Sequence, residues 1–312
     1  MRDVKVVGLG LATLDVLMRS GALPTWEKGV RLSGFGIDGG GPVGTAMVAV
    51  SRLGVPVGYV GIAGNDTIAD LKVGSFVENG VDVSRLIRRD QPEKQVVIVN
   101  VHEGTGERLF SFVEGFNDGE LTPEELDRDY ITNADFLHLE GHHWSAAMQA
   151  ADWMHEAGKT VVYDGSKTTR KVAERTRQLV EKVDVLICGS GYGRGLTGLT
   201  DVWDIGRAIL DLGPRIVVQT EGELGSYTVT RDDHFHTPAF PVDVVDTTGA
   251  GDVFHGAFIV GLHKGWDLRT IARFSTAVSS LKCTKLGGRR GIPYYDEVVA
   301  FLRERGVELP ET

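Results

Sequence analysis

The sequence predicts an α/β fold with a mostly parallel central sheet that is covered by helices on both faces. Short apolar runs of strand character alternate with segments of helical period along almost the whole chain. Glycine is also abundant, since 41 glycines in 312 residues are about twice the usual share of roughly 7%. Glycines in such numbers indicate many positions where the geometry of the backbone matters.

The predicted elements follow one another in a regular order. A buried strand at 4–9 precedes a helix at 43–53, a strand at 57–62 and a helix at 68–79. Later apolar runs predict strands at 136–139, 160–163, 185–187 and 215–219. Segments of helical period predict helices at 146–157, 172–182, 204–212, 251–262, 268–281 and 295–305. Two further β-rich runs, at 226–230 and 234–237, predict a hairpin.

Two stretches interrupt this alternation. Residues 15–38 combine short β-like pieces with turn residues, and the runs 95–101 and 108–113 are typical of a hairpin with a long loop. We therefore predict one domain over residues 1–312, with a small β lid subdomain (15–38 and 95–116) inserted into it.

The composition argues against several classes of protein. The net charge is −10, so we expect no nucleic-acid partner. The two cysteines, Cys188 and Cys283, form no Cys-x-x-Cys pair and indicate neither a disulfide framework nor a zinc site. Apolar runs stay below about 18 residues, so we expect no membrane helix. Since the N-terminal segment also lacks the profile of a signal peptide, we expect a cytoplasmic protein.

The run 245–257 has the strongest chemical character. Gly249, Ala250 and Gly251 carry almost no side chain and lead into an apolar helix, so the free amides at the start of that helix can bind an anion. Asp252 follows in the first helical turn, where its carboxylate can take a proton from a hydroxyl that attacks a phosphoryl group. An aspartate that merely caps the helix is the plainer alternative.

This run resembles the C-terminal signature of the ribokinase-like (PfkB) family of carbohydrate kinases, which fits 246–257 at every position. The resemblance continues over nearly the whole chain, and 242–246 and 281–293 look most like the sulfofructose-kinase branch. It implies a three-layer α/β/α fold with a β lid. It also implies an ATP-dependent monosaccharide kinase that uses Mg²⁺, with Asp252 as base and the amides of 249–251 as anion hole.

The sugar side of the implied site lies in the first half of the chain. The run 40–46 is similar to the family's Gly-Gly-x-x-x-Asn motif, with Thr45 in place of the asparagine. Asp15 follows the first strand, and its carboxylate can accept hydrogen bonds from two neighbouring hydroxyls. His142 stands where the sulfofructose-kinase branch carries an arginine, so we predict no sulfonate substrate. The implied sugar-binding residues are Asp15, Gly40, Gly41, Thr45, Glu140 and His142.

The nucleotide side lies in the second half. The run 220–225 resembles the family's Thr-x-Gly-x-x-Gly loop, and 283–291 would flank the adenine. The implied nucleotide contacts are Thr220, Gly222, Gly225, Thr248, Cys283 and Gly287. A monovalent cation, potassium in many family members, would be held by Asp246, Thr248 and Gly291.

One motif of the family is missing. Its Asn-x-x-Glu, which organises Mg²⁺ ahead of a Leu-Thr-Gly, is replaced by Gly189 and Tyr192 ahead of 196–198. The ion would then be held by the ATP phosphates and waters, or by Asp164.

Three alternatives stay open. A nucleoside kinase on the same fold would stack its base on lid aromatics such as Phe35, Phe110 and Phe112. A non-catalytic sugar or nucleotide sensor would fit the missing Asn-x-x-Glu motif. An NAD oxidoreductase is disfavoured because the run 8–10 is an incomplete glycine fingerprint. Since an exposed lid face often pairs between subunits, we expect a homodimer through the lid.

Overall fold

The computed structural model describes residues 3–310 and contains a large, mostly parallel sheet. The sheet has eight strands in the order β14-β13-β12-β11-β10-β9-β1-β4. Their bounds are β1 Val6–Leu9, β4 Val57–Val60, β9 Phe136–Leu139, β10 Thr160–Gly165, β11 Val185–Gly189, β12 Ile216–Thr220, β13 Ser226–Val229 and β14 His234–Thr237. The six strands from β4 to β12 run parallel, and β13 and β14 add an antiparallel hairpin at one edge.

Helices cover both faces of this sheet. They are α1 Pro42–Arg52, α2 Thr67–Val77, α3 Arg128–Thr132, α4 Trp144–Glu156, α5 Glu174–Val180, α6 Tyr192–Thr197, α7 Val202–Leu210, α8 Ala250–His263, α9 Leu268–Lys282 and α10 Tyr295–Arg303. Neighbouring strand residues point to opposite faces: Val6 and Val162 join the core under α1, α8 and α9, whereas Val7 and Val161 join the core under α4 and α7. The predicted three-layer α/β/α fold is confirmed.

A second sheet of four strands makes up the small subdomain, which we call the lid. Its strands are β2 Thr13–Ser20, β3 Gly34–Gly40, β7 Val96–His102 and β8 Arg108–Phe112, in the order β3-β2-β7-β8. The strand register places Asp38, Asp15, Val97 and Phe112 in one row across the sheet, so their side chains share one face. This inner face carries a small apolar core around Leu17 and the valines of β7.

The opposite, outer face of the lid is apolar as well. Phe35 pairs with Met18, and Ile37 pairs with Val16, which pairs in turn with Ile98. Phe35 lies on this outer face, whereas Phe110 and Phe112 pair with Val99 and Val97 on the inner face, so the three rings do not share one face of the lid. Strand register, which sequence alone does not reveal, separates these aromatics.

The differences from the predicted elements are local. The predicted strand at 57–62 is divided at Gly61, because β4 ends at Val60 and β5 (Ile62–Ala63) pairs separately with β6 (Ile87–Arg88). Sequence analysis missed α3 and α6, which are too short for a clear helical period. Within residues 3–310, no helix combines the length and apolar character needed to span a bilayer.

Candidate active site

A cleft lies where three parallel strands end and α8 begins. It has a volume of about 410 Å³ and opens beyond the carboxyl ends of β10, β11 and β12, where α/β sheets bind their ligands. The predicted residues that line it are Thr220, Gly222, Gly225, Gly249, Ala250, Gly251 and Asp252. The structure therefore brings together the predicted base, the predicted anion hole and the predicted nucleotide loop.

The start of α8 is shaped to receive an anion. Gly249 precedes the helix with φ of 75°, a left-handed conformation that favours glycine. A Cβ placed on Gly251 would meet no heavy atom within 4 Å, so the space in front of this amide is open. The Ala250 N–H already donates to the Thr247 carbonyl at 3.2 Å. Among residues 3–310, the amides without an acceptor are therefore those of Gly249, Gly251 and Asp252, whereas that of Ala250 is used.

Asp252 occupies the first turn of α8 beside these amides. Burial raises the pKa of its carboxyl to about 7, and the neighbouring Asp164 carboxylate acts in the same direction. The positive charges of Arg108, Lys282 and Arg289 oppose this shift. A carboxyl whose pKa lies near neutrality is suited to accept a proton from an alcohol and to release it later.

Asp164, at the end of β10, supplies the second carboxylate of the cleft. It is 5% exposed, and burial raises its pKa to about 7. Gly189 and Tyr192, which stand at the positions of the missing Asn-x-x-Glu motif, bring no carboxylate to the cleft. Between them, the Ser190 hydroxyl donates to the Thr220 carbonyl at 3.4 Å. An oxygen ligand beside the anion hole fits Mg²⁺, which prefers carboxylates and phosphates.

Asp15 lies on the inner face of the lid, at its junction with the body. The Thr13 hydroxyl donates to its Oδ1 at 2.6 Å, and a Cβ on Gly40 would come within 2.2 Å of its Oδ2. Burial raises the pKa of Asp15 to about 6, although the Arg289 guanidinium lowers it. The Asp38 and Asp252 carboxylates also contribute to the raised pKa.

The remaining predicted sugar-binding residues differ in the contacts they make. Gly41 has a φ of 83° and packs on the backbone of residues 11–13. Thr45, in α1, lies next to Gly249. Each oxygen of Glu140 accepts one backbone hydrogen bond, Oε1 from Leu11 N at 2.6 Å and Oε2 from His142 N at 2.7 Å. Glu140 therefore holds two loops in place, and its contact with sugar hydroxyls stays a prediction.

His142 is placed differently from Glu140. Its ring lies 3.4 Å from the Gln95 side-chain nitrogen, and burial lowers its pKa. A neutral imidazole beside the lid can exchange hydrogen bonds with a polar substrate but carries no charge for an anion.

The residues of the predicted cation site are linked by hydrogen bonds. The Asp246 carboxylate accepts from the Thr248 N–H, the Thr248 hydroxyl and the Gly287 N–H at 2.7–2.9 Å. The Asp246 carbonyl accepts from the Lys282 ammonium at 2.9 Å, and Lys282 is fully buried. Gly291 packs against the Lys282 backbone. A lysine ammonium therefore lies beside the residues that were predicted to hold potassium, and the potassium site itself stays a prediction.

Cys283 and Gly287 do not line the cleft. The Cys283 carbonyl accepts from Val245 N and Asp246 N, and the Gly287 N–H is used by Asp246. Both residues shape the loop behind the anion hole, and their predicted contact with a nucleotide is not supported by this position.

Sequence analysis missed three charged groups of the site. Arg108, in β8, and Lys167, after β10, line the cleft. Arg289 is 1% exposed and links the C-terminal loop to the lid, because its guanidinium donates to the Gly40 carbonyl at 2.8 Å and to the Ser75 hydroxyl at 3.0 Å. All three come from loops or hairpin ends, where no periodic pattern distinguishes a functional cation from a solvated one.

A carboxyl group with a pKa near neutrality beside free amides, at the carboxyl ends of parallel strands, is the arrangement that phosphoryl transfer to an alcohol requires. Comparison with known proteins agrees, since the model of the pfkB family carbohydrate kinases matches residues 3–294. The chain belongs to this family, and it is an enzyme of the sugar or nucleoside kinase type.

Individual relatives resemble the chain along nearly its whole length. The ATP-dependent ribose-1-phosphate kinase of Halopiger xanaduensis is 29% identical over 305 residues, which cover 97% of this chain and 99% of that protein. The crystal structure of Thermotoga maritima ribokinase has a TM-score of 0.83 at 25% identity and covers 96% of this chain and 99% of its own. Arabidopsis thaliana ribokinase, solved with ribose and ATP, has a TM-score of 0.81 at 22% identity, with coverage of 95% and 98%, and shows the fold alone.

Proposed function

We propose that the protein transfers the γ-phosphoryl group of ATP to a hydroxyl of a small sugar, with a monosaccharide as acceptor. The observation that carries the proposal is the position of Asp252, whose buried carboxyl lies in the first turn of α8 beside the open space at Gly251. The carboxylate takes the proton of the attacking hydroxyl, and the free amides stabilise the charge on the transferring group.

Asp15, Gly40 and Gly41 orient the acceptor at the base of the lid. The carboxylate of Asp15 has one oxygen bonded to Thr13, which leaves acceptor capacity for sugar hydroxyls. Thr45 contributes its hydroxyl from α1. Closure of the lid over this space excludes water, which would otherwise compete as phosphoryl acceptor.

The nucleotide phosphates occupy the cleft between the loop at 220–225 and α8. Asp164 would hold Mg²⁺ there, directly or through water, and the ion would neutralise charge on the phosphates. Arg108 and Lys167 line the same cleft and add positive charge from the protein itself. This supply of cations offsets the loss of the Asn-x-x-Glu motif.

A nucleoside acceptor is the second candidate, and one observation favours it. Phe110 and Phe112 pair with Val99 and Val97, so both rings share the inner face of the lid with Asp15. Their centroids are 6.5 Å apart, and Phe116 packs edge-on to Phe112 at 5.0 Å. Rings placed there can stack on a base as well as pack against the lid core.

We further propose that two copies of the chain associate through the outer face of the lid. This face presents Phe35, Ile37, Ile98 and Leu109, each between 39% and 61% exposed. The four residues project from three strands of one sheet, β3, β7 and β8, and a self-complementary apolar face is typical of a two-fold dimer.

The proposal is tested by measuring ADP release with Mg-ATP across ribose, fructose, fructose phosphates, sulfofructose, inositol and several nucleosides. Asp252→Asn removes the base with little change in shape, and the exposed Asp232→Asn serves as matched control. We expect turnover on a monosaccharide, lost by at least about a hundredfold in Asp252→Asn and retained in the control.

Other outcomes point elsewhere. Turnover confined to nucleosides would establish the second candidate. ATP binding without turnover on any acceptor would favour the sensor, and full activity of Asp252→Asn would remove Asp252 from the reaction.

A further inference from the structure

Three buried side chains meet beneath the cleft, and only one of them, Asp164, has a role in the proposed phosphoryl transfer. His138 comes from β9, Asp164 from the end of β10, and His255 from α8, one turn after Asp252. One ligand atom from each lies within 4.8 Å of the other two. The imidazole rings of His138 and His255 are 5.4 Å apart between centroids, and His255 Nε2 lies 3.6 Å from Asp164 Oδ1.

The two histidines are buried with nitrogen atoms that lack partners. His138 is 0% exposed and His255 is 2% exposed. His138 Nε2 and His255 Nδ1 have no hydrogen-bond partner among residues 3–310. Burying an imidazole nitrogen without a partner is unfavourable, because its hydration is lost and nothing replaces it. Both nitrogen atoms are therefore available to a ligand.

We propose that His138, Asp164 and His255 bind a divalent transition-metal ion of the zinc, cobalt and manganese group. Two imidazoles and one carboxylate form a ligand set that suits such ions, whereas Mg²⁺ prefers oxygen ligands throughout. The site is therefore distinct in chemistry from the Mg²⁺ that accompanies ATP, although Asp164 is common to both.

The surroundings of His138 support this assignment. Its Nδ1 lies 3.3 Å from the Val162 carbonyl, so the proton of the neutral ring belongs on Nδ1. Nε2 then carries a free lone pair that is directed away from that carbonyl. Histidines that bind metals usually donate their other ring N–H to a carbonyl or carboxylate in this way, which fixes the ring and its tautomer.

The spacing is compatible with an ion after small side-chain rotations. With bonds of about 2.1 Å and tetrahedral angles, two ligand atoms of one metal are about 3.4 Å apart. The three ligand atoms of the cluster lie within 4.8 Å of one another, so rotation of the side chains can bring them to this spacing. Asp164 and His255 also line the nucleotide cleft, so an ion can enter from there and keep open positions towards it.

The charge balance of the site also favours a cation. Both imidazoles are neutral when they bind a metal, and Asp164 carries one negative charge. Asp252 adds a second carboxylate on the same side of the cleft. The two carboxylates therefore balance the charge of a divalent ion without further protein ligands.

Co²⁺ is the probe for the test, because histidine-bound Co²⁺ has visible absorption bands that do not depend on kinase activity. Chelator-treated protein is titrated with Co²⁺, and its melting temperature is followed in parallel. We expect one equivalent to bind, and the melting temperature to rise by about 5 °C at a hundredfold excess over the dissociation constant.

Two variants test the ligand set. His138→Leu removes a ligand and also the unpartnered nitrogen, so the metal-free variant should melt no lower than wild type; Asp164→Asn removes a ligand with almost no change in shape. Both should lose the bands and the thermal shift, whereas the exposed His234→Asn should keep them. Should His138→Leu fail to fold, Asp164→Asn decides alone.

Absence of the bands in wild type would overturn the proposal. Bands that survive in both variants, or disappear in His234→Asn, would also overturn it, since the ion would then bind surface histidines. These readouts involve no phosphoryl transfer, so they stand or fall separately from the proposed kinase activity.

Discussion

Gly251→Ala should stabilise the protein while it impairs the enzyme. The residue is the second of α8, its φ is not in the left-handed region, and an added Cβ would meet no protein atom within 4 Å. Replacing glycine by alanine in a helix gains up to about 1 kcal/mol, and less near the helix start. In a chain of this length, that gain corresponds to a rise in melting temperature of up to about 2 °C.

The same methyl group would occupy the space in front of the anion-binding amides. If the transferring phosphoryl group sits there, the methyl displaces it by about 1 Å, and displacements of that size cost about a hundredfold in rate. We therefore expect kcat to fall by about two orders of magnitude in the coupled ADP-release assay, with a folded protein that melts no lower than wild type.

Gly74→Ala is the matched control. Gly74 lies in the middle of α2, and its added Cβ also meets nothing within 4 Å. It should give an equal or larger thermal gain and full activity. Full activity of Gly251→Ala would refute the assignment of the anion hole, and a loss of melting temperature would refute the claim that the space is open in the free protein.

Three further predictions concern pH, the buried lysine and assembly. Burial and the Asp164 carboxylate raise the pKa of Asp252 to about 7, so kcat/KM should rise with pH through about 7 as the base loses its proton. Asp164→Asn should move the midpoint of this rise to lower pH. An unmoved midpoint would contradict the coupling of the two carboxylates. Lys282→Met leaves Asp246 buried without its cation and should lower the melting temperature by several degrees. Potassium chloride should restore part of the lost melting temperature, and choline chloride should not. Equal melting temperatures in both salts would contradict a cation role for Lys282. Ile98→Lys should shift the mass in sedimentation velocity from dimer to monomer, and a dimeric variant would place the interface elsewhere.

Much of the fold follows from local patterns. The strands at 136–139 and 234–237 have the predicted bounds, and α8 differs from its predicted bounds by one residue at each end. Buried parallel strands are continuous apolar runs and helices have a period of 3.6 residues, so each element can be predicted from the residues of its own segment. The position of Asp252 beside the anion-binding amides is also local, because three consecutive residues and the helix they start determine it.

The composition of the site beyond that helix depends on contacts between distant segments. Glu140 stands at a strand end, as predicted, but two backbone amides use its oxygens. Lys282 is one charged residue among many in the sequence, and only the packing of α9 brings its ammonium to the Asp246 carbonyl. Phe35 and Phe110 belong to the same lid and face opposite sides, because strand register decides their direction.

The sequence by itself therefore determined the layer order, the phosphoryl-transfer helix and the class of reaction. The tertiary structure decided which charges meet: Arg289 with the lid, and His138 with Asp164 and His255. The physical reason is the range of the interactions. Helix and strand formation depend on neighbours within a few residues, whereas the environment of a buried charge depends on whichever side chains the finished fold places within a few ångströms.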